Sequence, residues 1–78
     1  MAEGLEAALV LLPAGHLGVF RTGNGHGVVL VTVTGSGTLV TQQGPQGLTA
    51  GVVLWLRPGP DRVVVAGNHG LACVTVRR

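Results

Sequence analysis

Lysine, isoleucine and tyrosine do not occur in this 78-residue chain, and its only acids are Glu3, Glu6 and Asp61. Three scattered carboxylates exclude chemistry that needs a matched carboxylate pair, glycoside hydrolysis first of all. A single cysteine, Cys73, excludes an internal disulfide and any paired-cysteine metal or redox motif. Two aromatics, Phe20 and Trp55, are too few for the stacking platform that binds single-stranded nucleic acid. The apolar run Ala7–Leu12 falls far short of the roughly 20 residues that cross a bilayer. Glu3 and Glu6 stand where a secretory leader would carry positive charge, so a cytoplasmic protein with no membrane partner is expected. Charged residues make up 10% of the chain, well under the ~25% of ordinary soluble domains. With so little charge to cover its surface, the chain is expected to hide part of it against a second copy, as a homodimer.

What the chain has instead is glycine and valine, 14 of each, with hydrophobic residues at 46%. That composition excludes a disordered tail and points to β-strands joined by turns. The length suits one small domain, residues 1–78, divided into an N-terminal segment (1–15) and a core (16–76). Leu5–Leu12 (LEAALVLL) fits either a short helix or a strand, and Pro13 and Gly15 end it. Strands are expected at Gly18–Thr22, Val28–Thr34, Thr38–Gln42, Val52–Leu56, Val63–Ala66 and Leu71–Val76. The intervening GNGHG (23–27), GSG (35–37), QGPQG (43–47), RPGPD (57–61) and GNHG (67–70) read as loops and turns. In the strongest strand, VVLVTVT, alternation places Val29, Val31 and Val33 in the core and Thr32 and Thr34 outside. No helical stretch separates the strands, which excludes βαβ units and leaves a largely antiparallel sandwich or barrel.

Two of these segments carry a family resemblance. Val28–Thr41 (VVLVTVTGSGTLVT) is similar to the strand, Gly-x-Gly, strand segment that ends the first motif of the cupin superfamily. Leu48–Asn68 (LTAGVVLWLRPGPDRVVVAGN) resembles that family's second motif, with Gly51, Pro58, Gly59 and Asn68 matching in kind. The resemblance covers residues 16–76 and implies an all-β fold: a small double-stranded β-helix, an antiparallel β-barrel resembling a jelly-roll sandwich. Cupins usually hold a metal in the barrel on two histidines and a carboxylate from the first motif and one histidine from the second. Carried over position by position, the carboxylate falls at Val28, the paired histidines near Thr22 and Asn24, and the last histidine at Arg62. The aspartate that often follows the glycine at position 51 is Val52. None of these residues is a metal ligand.

The resemblance thus implies the fold without its usual metal chemistry, and we expect a non-catalytic module that binds a small, anionic molecule or serves a structural role. Arg57 and Arg62 bracket the rigid PGPD turn where a barrel mouth would lie, and an inward guanidinium demands an anion or an acidic partner. With His26 and Trp55 they are the candidate ligand-binding residues. If Leu54 and Leu56 face the core, Trp55 faces away from it, toward a dimer interface or a ligand. No cofactor is expected. His16, His26 and His69 stand beside glycines at spacings that match no ligand signature; were zinc, iron or manganese bound, His26 and His69 would hold it. Two alternatives remain open. One is a small metal-dependent cupin enzyme of isomerase or dioxygenase type using displaced histidines. The other is a nucleic-acid or anion binder acting through Arg21, Arg57, Arg62, Arg77 and Arg78.

Overall fold

Valine-rich segments pair into one antiparallel sheet of six strands: β1 (Glu6–Leu12), β2 (Leu17–Phe20), β3 (Val28–Thr41), β4 (Gly44–Thr49), β5 (Val53–Leu56) and β6 (Arg62–Arg77). The structure is a computed structural model that describes residues 4–22 and 27–77; Asn24, His26 and Arg78 lie outside the described residues. Leu5–Leu12, open between helix and strand on sequence, is strand from Glu6 onward, zipped to β6 from Glu6–Arg77 to Leu12–Leu71.

Two long strands organise everything else. The 14 residues of β3 and the 16 of β6 lie side by side, and each carries two short strands on its other edge. One half of the sheet runs β1, β6, β3, β5; the other runs β2, β6, β3, β4. The principal hydrogen-bonded order, β1-β6-β3-β4, has two free ends. This corrects the expected closed barrel and jelly roll: closure needs the outermost strands to pair, and among the described residues β1, β2, β4 and β5 each pair with a long strand and none with one another.

The glycine signals also read differently in three dimensions. GSG (35–37) and GNHG (67–70) are not hairpin turns; β3 and β6 run straight through them. Gly35 pairs with Leu71 and Gly37 with Ala66, so a single residue of β3, Ser36, faces four of β6, 67 to 70. The glycines permit this close passage. Gly35 has φ +81° and a Cβ on it would overlap the carbonyl oxygen of Gly70; Gly70 has φ +78°. Bulged strands bend at such points. QGPQG is likewise mostly strand: the turn sits at Gln42 and Gln43, and Pro45 lies on edge strand β4, where no ladder donor is needed.

The side chains of β3 point opposite to the expected way. Val28, Leu30 and Thr32 are buried, Val29 and Val31 are half-exposed, and Val33 is exposed. Leu30 and Val28 enter the core beside Cys73 and Leu56, and the two-residue period then carries Thr32 inward with them. A further register shift between Thr32 and Thr34 leaves Val33 outside. Buried residues of both halves, including Phe20, Leu30, Leu39, Leu48, Leu56, Val64, Leu71 and Cys73, form one contiguous apolar cluster. Within it the Thr32 hydroxyl has no hydrogen-bond partner among the described residues, at a cost of about 1–3 kcal/mol.

Two stability outcomes follow from this packing. Gly35→Ala should destabilise the fold by about 2 kcal/mol or more in chemical denaturation, whereas Gly47→Ala, with nothing within 4 Å and no unusual backbone, should change it by less than about 1 kcal/mol. Thr32→Val, which keeps the shape and removes the orphaned hydroxyl, should raise the unfolding free energy by about 1 kcal/mol.

Candidate functional site

Pro58 and Pro60 fix the backbone of the turn between β5 and β6, and Arg62, at the start of β6, folds its side chain back over it. Its Nη1 donates to the carbonyls of Arg57 at 2.8 Å and Pro60 at 3.0 Å and to Thr22 Oγ1 at 3.3 Å. Nη1 carries two hydrogens, so three acceptors share them and the longest contact is the weakest. Thr22, buried just past β2, completes the latch: its hydroxyl donates to the Gly59 carbonyl at 3.1 Å and accepts the Gly59 N–H at 3.1 Å. One threonine therefore ties the end of β2 to a turn 37 residues further on.

The latch uses one corner of the guanidinium. The N–H groups on Nε and Nη2 have no partner among the described residues, and two such parallel donors fit a carboxylate or phosphate. Arg57 is exposed, its backbone carbonyl held by Arg62. Arg21 Nε meets Asp61 Oδ2 at 3.5 Å with both side chains largely in water, an ion pair worth under about 1 kcal/mol. Three arginines thus gather around one turn with a single acid.

The other sequence candidates fall elsewhere or outside view. His26 lies outside the described residues, between Thr22 and Gly27 in the sequence. Trp55 is exposed on the outward side of β5, with its indole against Gly27, where a Cβ would overlap the ring. His69 is exposed on the four-residue bulge of β6 and lines, with Leu11, Thr34, Asn68 and Ala72, an open cleft of about 510 Å³. His16 is exposed in the turn before β2 and its carbonyl accepts the Ala66 N–H at 2.9 Å. Among the described residues no three histidine, cysteine or acidic side chains come together as a metal site. Of the positions matched to cupin ligands, Val28 is buried in the apolar cluster, while Thr22 and Arg62 bond to each other. Cys73 is wholly buried opposite Thr32, and burial pushes its thiol up, which keeps it protonated and unreactive. Sequence reasoning identified Arg57 and Arg62 but not the role of Thr22, whose partners are remote in the chain and leave no local signal.

Comparison with solved structures identifies the fold as that of cupin-superfamily domains. A cupin protein from Bacteroides fragilis superposes with a TM-score of 0.83 at 20% identity, over 97% of this chain and 66% of the other. A Cupin 2 conserved barrel domain protein from Salinispora arenicola gives 0.81 at 22% identity, over 94% and 61%. The Cupin 2 domain of an XRE-family transcriptional regulator from Enterobacter cloacae gives 0.83 at 9% identity, over 95% and 80%. The chain therefore spans just under two thirds of the length of the first two. No protein-family model matches the sequence, and no curated protein does.

Removing the latch hydroxyl with Thr22→Val should cost about 1–3 kcal/mol of stability in chemical denaturation, because the Gly59 N–H loses its acceptor. The Cys73 thiol should resist a disulfide reagent at neutral pH until the protein is unfolded. Its folded titration lies above that of the unfolded thiol, about 8.5. Its contribution to stability is therefore complete below that pH and declines as pH rises past it, a decline that Cys73→Ala should flatten.

Proposed function

We propose that this chain is a non-catalytic module that binds a small anion at the Arg57–Arg62 turn and works in the cytoplasm as a homodimer. The observation that carries the reading is the Nε and Nη2 edge of Arg62, which has no partner among the described residues and is held from its other corner by backbone carbonyls, one of them that of Arg57. In the cupin pattern the residue matched to Arg62 is a metal-binding histidine, so in sequence a permanent cation takes the place of a metal ligand. A cation in that place attracts an anion directly, by two parallel charge-assisted hydrogen bonds.

Arg57→Ala isolates the proposed site, because the Arg62 latch uses the Arg57 carbonyl and not its side chain. Inorganic phosphate or malonate should raise the melting temperature of the natural protein. The Arg57→Ala protein should melt normally and bind about tenfold more weakly. Failure of both anions to bind the natural protein would contradict the reading. Stoichiometric metal in the purified protein, lost in His26→Ala, would replace it with the metal-dependent enzyme. Affinity that grows with polyanion length and falls steeply with salt would replace it with nucleic-acid binding.

A further inference from the structure

The alternation that turns Leu30, Thr32 and Cys73 inward leaves the other side of the same half-sheet almost wholly apolar. Its rows can be read across the pairing. Leu9, Val74, Val31 and Val53 lie side by side on β1, β6, β3 and β5. Ala7, Val76, Val29 and Trp55 form the adjacent row, and Leu11 and Ala72 extend the face beyond the first in a row that ends on the exposed Thr34. No charged residue stands in these rows. Leu9 is 63% exposed, Leu11 66%, Val33 47%, Val53 59% and Trp55 60%. For side chains of these sizes that leaves roughly 600 Å² of apolar surface in water, the upper end of what monomers tolerate. With the half-exposed valines the face reaches roughly 800 Å², the share one partner contributes to a standard interface.

We propose that this face, formed by β1, β6, β3 and β5, is the homodimer interface, packed against the same face of a second copy. The inference rests on the homodimer reading above and assigns its surface. A second copy is the occupant whose chemistry the face itself supplies: its rows are uncharged and apolar, and face-to-face sheet packing interdigitates such rows. An isologous contact needs only that one patch be complementary to itself. The other half-sheet also shows apolar residues outside, Leu17, Val19, Val40 and Val63, but its Leu17 row ends on Thr38 and Gly47, and it has no exposed aromatic. Trp55 supplies the anchor on the larger face, since aromatics dominate interface energetics.

Because Trp55 is the only tryptophan, the protein reports on the face directly. Raising the concentration through the dimerisation range should shift the Trp55 emission to the blue and reduce its quenching by acrylamide. Leu9→Lys and Val53→Lys, both at positions already in water in the protomer, should fold normally by circular dichroism and sediment as monomers, weakening association at least ~100-fold. Val40→Lys, on the other half, should leave the dimer intact. A natural protein that dimerises without any change at Trp55, or stays dimeric in both lysine variants, would overturn this assignment while leaving the homodimer standing. A natural protein that is monomeric at about 100 µM would overturn both.

Discussion

Two glycines that face each other across the long strands make the rest of the sheet feasible. At Gly35 the backbone turns through a left-handed conformation with the Gly70 carbonyl where a side chain would be, and Gly70 adopts the same kind of conformation beside β1. Any larger residue at Gly35 would push β3 and β6 apart, and their pairing joins the two halves. The short strands depend on that pairing, since each is bound to one of the two long ones. The four residues of β6 that bulge past Ser36 carry Asn68 and His69 outward, so the same device that bends the sheet also lines an open cleft.

The passage at Gly35 has a second consequence. Because β3 continues through it, one strand serves both halves, and its inward residues are chosen by the contiguous cluster on one side. Leu30 and Leu39 are buried in different halves of that cluster, and between them the register shifts twice. The cluster takes Thr32 with its hydroxyl unbonded and leaves three valines on the other side. A chain that buries a threonine and exposes valines in one strand has an apolar surplus on its outer face. Low charge, noted in the composition, and the outer valine rows are two views of that surplus.

Much of this was legible in the residues. The all-β character, the antiparallel pairing, the cupin likeness and the outward turn of Trp55 come from glycine-punctuated valine runs and from two motif-like segments. The errors share a cause. GSG, GNHG and QGPQG have the composition of turns, and composition cannot distinguish a glycine that reverses the chain from one that lets two strands pass closely. Taking GSG as a hairpin also removed the constraint that ties Val28–Thr34 to Thr38–Thr41, so the alternation was read from the threonines alone and the faces came out exchanged. The arginine turn was visible because proline and arginine stand together at Arg57–Arg62. Its latch was not, because Thr22 lies 37 residues from Gly59 and 40 from Arg62. Closure into a barrel was carried by the resemblance, and the pairing in this chain does not include it.

The account stands on continuous β3 and β6 crossing at their glycines, and nuclear Overhauser contacts on the labelled protein test that directly. It predicts backbone contacts from Gly35 to Leu71 and from Gly37 to Ala66, with none across Gly35–Gly37 between Thr34 and Thr38. Strong contacts between Thr34 and Thr38, the signature of a hairpin at GSG, would contradict it.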